Sequence, residues 1–218
     1  YGVFSLLLTL FAVKGIGVIG DLSKYFFLLL FVLIFHGLVT YGLFITFIAK
    51  LNPYTFFSKL RSLSVFAFST SSSSATMPVT LRTVTTKLGV KPSIGSFTVP
   101  LGATVNMDGT AIMQGIATVF IAQAYNIDLT TIDYLMVILT ATLASIGTAG
   151  VPGVGLIMLA MVLEQVGLPV EGIALIIGVD RLLDMTRTVV NVCGDSMVSC
   201  VVAKSEGEFD KEIFDSKI

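Results

Sequence analysis

Tryptophan is absent from this sequence, cysteine occurs twice and histidine once. Without tryptophan, any aromatic belt at a membrane surface has to be made of tyrosine and phenylalanine. Cys193 and Cys200 stand one heptad apart with no CxxC spacing and no histidine nearby. That excludes a disulfide scaffold and a zinc site as organising features, and both read as small packing residues. Charge is scarce as well: 12% of the 218 residues are charged, against roughly 25% in an ordinary soluble domain. The 13 basic and 14 acidic residues leave a formal net charge of -1, so there is neither a basic footprint for nucleic acid nor an acidic tail. With 55% hydrophobic residues, the excess apolar surface belongs against lipid, and a soluble enzyme does not fit.

What is present is a set of long uncharged runs. Tyr25 to Ala49 is long enough for one spanning helix of about 20 residues with tilt. Val3 to Val13 is too short to span alone but reaches Ile19 across Lys14. No signal-peptide pattern leads it, so the natural protein is expected to begin further upstream. After Lys50-Leu51-Asn52-Pro53 come two apolar arms, Phe56 to Thr70 and Val79 to Leu88, around the tip SSSSATMP. Arms of about 10–15 residues give roughly 15–22 Å of helix, half of a bilayer core of about 30 Å. That predicts a re-entrant hairpin. The pattern recurs over Tyr134 to Gly167 around the tip SIGTAGVPG.

Each hairpin is followed by an apolar helix with polar residues in its middle: Ser96 to Tyr125, interrupted by NMDGT, and Gly172 to Ala203, carrying DRLLDMTRTVVNVCGD. Lipid tolerates such tips and breaks only where protein or a water-filled cavity satisfies the freed backbone groups. The sequence thus predicts an all-α membrane protein, an inverted-repeat transporter core with two re-entrant hairpins and broken transmembrane helices. Lys50, Lys59, Arg61, Arg82, Lys87 and Lys91 cluster at the base of the first hairpin, whereas Asp128 to Asp133 and Glu164 to Glu171 contain only acids. By the positive-inside rule the first hairpin opens from the cytoplasm and the second from outside. Lys204 to Ile218, charged in alternating sign, reads as a solvated cytoplasmic tail.

The last helix carries the chemistry. Measured from Asp184 at about 100° per residue, Asp180, Arg187, Thr188, Asn191 and Asp195 fall at about -40, -60, +40, -20 and +20 degrees. All lie in one stripe. Asp180, Asp184 and Arg187 alone could be a structural salt bridge, but Asn191 and Asp195 deeper in the span point to a substrate or ion pathway. Counting Asp108, Asp180, Asp184 and Asp195 against Arg181 and Arg187 leaves two surplus negative charges in segments read as buried. Buried carboxylates without partners are costly, so cations or protons are expected to enter with the substrate. Oxygen ligands suit a hard cation such as sodium. Arg187 offers the planar, bidentate donor for a carboxylate and Asp184 an acceptor for an ammonium group. Together they describe an amino acid with an extra carboxylate.

NMDGT, Asn106 to Thr110, places an amide, a carboxylate and a hydroxyl at a helix break whose carbonyls can ligate a cation; the pentapeptide alone fits an Asp-Gly turn equally well. Ser71 to Ser74 reads as hydroxyls lining a site, against the usual flexible linker. Gly147 to Gly153 reads as a hinged gate, or a plain loop; its spacing is no nucleotide fingerprint. His36 has no acidic neighbour at helical spacing and reads as a packing residue.

SSSSATMPVT, PLGATVNMDGT, ASIGTAGVPG and DRLLDMTRTVVNVCGD stand in order along the whole chain. With them the sequence resembles the dicarboxylate/amino acid:cation symporter family, which includes archaeal aspartate transporters and mammalian excitatory amino acid transporters. The resemblance implies the C-terminal half of such a protein: residues 1–20 as a remnant of the fifth, scaffold helix, 21–203 as the transport domain, and 204–218 as a cytoplasmic tail. It implies a multi-pass protein of the cell (inner) membrane, not an enzyme, homotrimeric through scaffold helices, without a cofactor. Its expected function is sodium-coupled symport of L-aspartate or L-glutamate by elevator-type alternating access. By the same resemblance Arg187 grips the side-chain carboxylate with Asp180 orienting it, Asp184 takes the amino group and Asn191 the main-chain carboxylate. Ser71, Ser72, Ser73, Met107, Thr110, Thr188 and the gate residues Val151, Pro152, Gly153 and Gly155 complete the substrate site. Gly102, Asn106, Asn191 and Asp195 resemble one sodium site, Thr104 with Ser145, Ile146 and Thr148 a second, and Asp108 with Asn106 part of a third.

The chain departs from the family in places. Gln114 stands where mammalian members carry an acidic residue tied to proton coupling, which favours sodium-only coupling. Ser71 and Met185 occupy the two positions where archaeal and mammalian members respectively carry an arginine. The alternatives are a neutral amino acid or C4-dicarboxylate symporter of the same family, a proton-coupled one included, an intramembrane aspartyl protease and a passive channel. Nothing in the sequence supplies the protease with a recognisable water-activating pair of aspartates.

Overall fold

The computed structural model describes Ser5, Leu8 and residues 18–216, so most of the expected scaffold remnant at 1–20 lies outside the described residues. Among the described residues no strand forms beyond an isolated antiparallel bridge between Val90 and Phe209. The protein is all-helical, as its apolar runs predict.

Helix α1 is built of Val18–Phe35, a π-helical turn His36–Thr40, Tyr41–Leu43 and a second π-helical turn Phe44–Ile48. Its 29-residue stretch Gly20–Ile48 is about 43 Å long, enough to cross a bilayer core of about 30 Å with tilt. Leu22, Tyr25, Leu29, Leu33, Tyr41, Ile45 and Ala49 are buried, while Phe27, Phe31, Ile34, Phe35, Leu38 and Phe47 are exposed. A four-residue repeat drifts by about 40° per step around an ideal α-helix. The wider π turns absorb part of that drift and keep the buried face inward.

Helices α2 (Pro53–Thr70) and α3 (Ser73–Thr86) form the first helical hairpin. Asn52 caps α2, its side chain accepting from the Tyr54 and Thr55 amides, with Pro53 in the first turn where no amide is needed. The connection is only Ser71-Ser72: Ser71 adopts a left-handed φ of 51°, and Ser72 Oγ caps α3 by accepting from the Ala75 amide. The serine run is therefore a compact turn whose second half is already helix. Helix α4 (Pro92–Val105) stops at Asn106-Met107 and restarts as α5 (Asp108–Ala124), the break that NMDGT predicts. Helix α6 (Thr131–Ile146), opened by a Thr130–Asp133 capping box, and α7 (Val154–Gln165) make the second hairpin around residues 147–153.

Helix α8 (Ile173–Ser205) is 33 residues long and unbroken, and it packs on α1, α2, α3, α4, α5 and α7. Glycines let its neighbours approach. A Cβ at Gly102 would overlap the Asp195 carboxylate, and one at Gly194 would sit 2.7 Å from both Asn106 Nδ2 and the Tyr41 hydroxyl.

The tail differs from the solvated segment expected of it. Helix α9 (Lys211–Asp215) docks at the base of the first hairpin with Phe214 fully buried. Lys59, also buried, donates to the carbonyls of Lys87 (3.0 Å) and Ile213 (2.6 Å). Lys91 pairs with Glu208 at 2.8 Å, and the Asp210 amide donates to Gly89 O at 2.6 Å. Alternating charge concealed one buried anchor, because the sequence pattern of the tail has no room for a longer apolar face. Phe214→Ala is expected to cost about 3–5 kcal/mol of stability, read as a lower Tm of the purified protein; an unchanged Tm would show that α9 does not hold the hairpin base.

Candidate functional site

The polar stripe of α8 faces inward. The Arg187 side chain is 1% exposed, with Nη1 2.9 Å from Asp180 Oδ1 and Nη2 2.9 Å from Asp184 Oδ1. Nη2 also donates to Asp180 Oδ2 at 3.2 Å. The Nη1 approach is an ion pair without hydrogen-bond geometry, so Arg187 Nη1 and Nε and Asp180 Oδ1 have no hydrogen-bond partner among the described residues. Sealing a guanidinium in a low-dielectric interior is tolerable only with carboxylates against it. Arg181, by contrast, is exposed. Asp180 and Asp195 are buried and Asp184 and Asp108 partly so, and these four carboxylates stand against one buried guanidinium, a larger negative surplus than the sequence count that included Arg181.

Asp184 links the stripe to the second hairpin, its Oδ2 accepting from the Gly153 amide at 3.1 Å. Gly153, with φ of +81°, caps α7 in a conformation that suits glycine. Gly155 packs over the cluster, its missing Cβ position 3.3 Å from Thr110 Cγ2 and 3.9 Å from Arg187 Cζ. The two hairpin tips meet. Gly150 O accepts from Ser72 Oγ at 2.6 Å and from the Ser74 amide at 3.0 Å, an approach that any side chain at Gly150 would obstruct.

Asn191 Oδ1 accepts from the Gly109 amide at 2.8 Å, tying α8 to the start of α5, and its Nδ2 reaches Thr110 Oγ1 at 3.5 Å. A turn further on, Asp195 Oδ1 accepts from Asn106 Nδ2 at 3.0 Å beside Gly102. Asp108 Oδ2 accepts from the Tyr41 hydroxyl at 2.5 Å and lies 2.8 Å from His36 Nε2, while its buried Oδ1 has no partner.

A cavity of about 530 Å³ opens between α7 and α8, walled by Pro152, Gly153, Leu156, Ile177, Asp180 and Asp184. That volume is within the range of small-molecule pockets. Of the residues singled out in the sequence, Thr110, Gly155, Asp180, Asp184, Arg187 and Asn191 converge, with Met107 buried close by in the break and Ser72 joined to them through the second tip. Thr188 is buried beside them but turns its hydroxyl to Asp184 O. Val151 and Ile146 are exposed. Thr104, Ser145 and Thr148 donate their hydroxyls to the carbonyls of Leu101, Thr142 and Ala144, which leaves each hydroxyl oxygen with lone pairs to offer a cation. Ser71 and Ser73 are buried in the turn.

Sequence reasoning missed the partners of Asp108. His36 does have an acidic neighbour, on another helix, and Tyr41 shares it. The available signal was two polar side chains near the middle of an otherwise apolar span. Among the described residues no three His, Cys, Asp or Glu side chains converge as a metal-ligand set; the donors are amide, carboxylate and carbonyl oxygens, which suit hard cations.

A helical chain with an apolar outer face, two helical hairpins and a charge cluster packed beside a helix break has the architecture of a membrane protein. Residues 1–205 match the sodium:dicarboxylate symporter family. Excitatory amino acid transporter 1 of Rattus norvegicus is 42% identical over 190 residues, 87% of this chain and 35% of that protein. An excitatory amino acid transporter of Caenorhabditis elegans is 44% identical over 181 residues, covering 83% and 36%, and excitatory amino acid transporter 2 of Mus musculus 41% over 199 residues, covering 89% and 35%. The chain belongs to the sodium:dicarboxylate symporter family and spans about a third of the length of these curated relatives.

Gly102→Ala is expected to force α4 off Asp195 and cost about 1–3 kcal/mol, whereas Gly115→Ala, whose Cβ meets nothing within 4 Å, gains about 0.5–1 kcal/mol from helix propensity. Thermal unfolding of both variants checks this, and equal Tm values would contradict the close α4–α8 approach.

Proposed function

We propose that the natural protein is a sodium-coupled symporter of acidic amino acids, with residues 21–203 as its transport domain in a multi-pass protein of the cell inner membrane. The observation that carries this is Arg187, fully buried, held by Asp180 and Asp184, and still holding unpaired N–H donors beneath the second hairpin. A guanidinium so placed selects a carboxylate. Asp184 is bonded both to Arg187 and to the hairpin tip. A substrate carboxylate taking the place of Asp184 on Nη2 frees Asp184 to accept the substrate ammonium. One exchange then satisfies both ends of an acidic amino acid, and because Asp184 also binds the Gly153 amide, it couples occupancy to the position of the gate. The same donor set supports binding of the main-chain carboxylate near Asn191 and Thr110.

The surplus of buried and partly buried carboxylates is the reason for coupling. Asp195 with Asn106, and Asp108 with its unpaired Oδ1, offer oxygen ligands at the α4–α5 break where freed carbonyls are available. Sodium ions there offset negative charge that substrate alone would leave. Gln114, buried and donating to Gly155 O at 3.4 Å, has no titratable proton, which favours sodium over proton coupling. The basic base of the first hairpin supports its opening from the cytoplasm and the second hairpin's from outside. Family membership supports elevator-type movement and a homotrimer built on scaffold helices.

Proteoliposomes of the complete natural protein are expected to concentrate labelled L-aspartate only under an inward sodium gradient, and equal uptake without the gradient would overturn the coupling. A competition series with glutamate, neutral amino acids and C4-dicarboxylates decides the substrate. Arg187→Cys is expected to weaken aspartate binding by more than about a hundredfold, with sodium-dependent thermal stabilisation as the control for folding. Unchanged aspartate affinity would refute the role of Arg187.

A further inference from the structure

Tyr41 is among the largest fully enclosed side chains, 1% exposed, and its polar end sits in the interior. The hydroxyl donates to Asp108 Oδ2 at 2.5 Å, and His36 Nε2 lies 2.8 Å from the same oxygen. The two rings meet edge to face, centroids 5.0 Å apart. A local departure from α geometry brings them together. Residues five apart stand about 140° apart around an α-helix, so an ideal helix would turn His36 and Tyr41 toward different neighbours. The π-helical turn His36–Thr40 bonds in the i to i+5 pattern and sets such residues nearly one above the other. Both side chains then reach one carboxylate, at the start of α5.

Two contacts on Oδ2 decide what the other oxygen does. Asp108 Oδ1 is buried and has no hydrogen-bond partner among the described residues, a costly state for a carboxylate oxygen unless a cation or a donor meets it. The carboxylate cannot turn to relieve it without breaking both contacts on Oδ2. The same hydroxyl stands at the junction of α4 and α8. A Cβ on Gly194 would lie 2.7 Å from both the Tyr41 hydroxyl and Asn106 Nδ2, and Asn106 donates to Asp195 Oδ1 at 3.0 Å. We propose that Tyr41 is a positioning residue for the transported cation: by fixing Oδ2 it holds Asp108 Oδ1 in place as a ligand beside the α4–α5 break. The proposal rests on the sodium-coupled reading above. Without the hydroxyl, His36 is the single contact left on Oδ2, and the carboxylate can swing about it. A fixed ligand oxygen also discriminates between cations of different radius, because selectivity among hard cations follows cavity size and ligand flexibility.

The test is Tyr41→Phe in the complete natural protein, which removes the oxygen and keeps the ring. The rise of Tm with sodium is measured without substrate, choline chloride holding the ionic strength constant, and repeated with lithium. The expected result is a sodium midpoint raised about tenfold, the scale of one hydrogen bond to a charged group, with the lithium midpoint raised less. A hydroxyl that served packing alone would lower the Tm in choline and leave both midpoints in place. That outcome, or midpoints raised by the same factor, would overturn the proposal. Tyr25→Phe makes the same change on the same helix, at a buried hydroxyl without a hydrogen-bond partner among the described residues; it is expected to move neither midpoint, and a shift equal to that of Tyr41→Phe would count against the assignment. In an Asp108→Asn background, Tyr41→Phe is expected to add nothing to the sodium midpoint, and a full additive shift would show that the hydroxyl does not act through Asp108. Wild-type protein that sodium stabilises no more than choline does would overturn the sodium-coupled reading itself, and the role of Tyr41 with it.

Discussion

A guanidinium buried inside a helical membrane protein dictates much of what surrounds it. Arg187 is 1% exposed, and a charge so enclosed requires opposite charge in contact with it and hydrogen bonds around it. Asp184 and Asp180 lie one and two turns before it on α8, because positions three, four and seven apart share a helix face. Asp184 is also bound to the second hairpin, so the hairpin tip takes its position from the same ion pair. The exposed apolar face of α1 and the inward stripe of α8 are two sides of this requirement. Lipid receives the apolar residues, and the polar ones collect where other helices can satisfy them.

Bringing helices close enough to do so depends on missing side chains. Gly102 and Gly194 allow α4 and α8 to approach until Asn106 reaches Asp195. Gly109 lets its amide reach Asn191, and Gly150 lets one hairpin tip lie against the other. In membrane helices small residues serve this purpose because close packing and interhelical hydrogen bonds replace the hydrophobic drive between helices. The two hairpins differ in how they are held. The base of the first is stapled by Lys59, Phe214 and the Lys91–Glu208 pair. The base of the second begins at an exposed capping box, and its tip depends on Asp184 and the serine turn. The second hairpin also packs along α5 with Val137, Leu159, Val162 and Leu163 buried, so its polar tip contacts add to an apolar seam.

The helical class, the break at Asn106-Met107, both hairpin tips and the shared face of Asp180, Arg187, Asn191 and Asp195 were legible in the sequence, because run length and the 3.6-residue period are local properties. The same local reading misplaced Arg181, counted among the buried charges although its side chain is exposed, and took the tail for solvated when Phe214 anchors it. What only the tertiary structure decided is which groups meet. His36 and Tyr41 reach Asp108 across 72 and 67 residues, Ser72 reaches Gly150 across 78, and Asn106 reaches Asp195 across 89. Helical periodicity says which way a side chain faces on its own helix and nothing about the helix opposite. Those pairings follow from how the hairpins and the broken helix pack around α8.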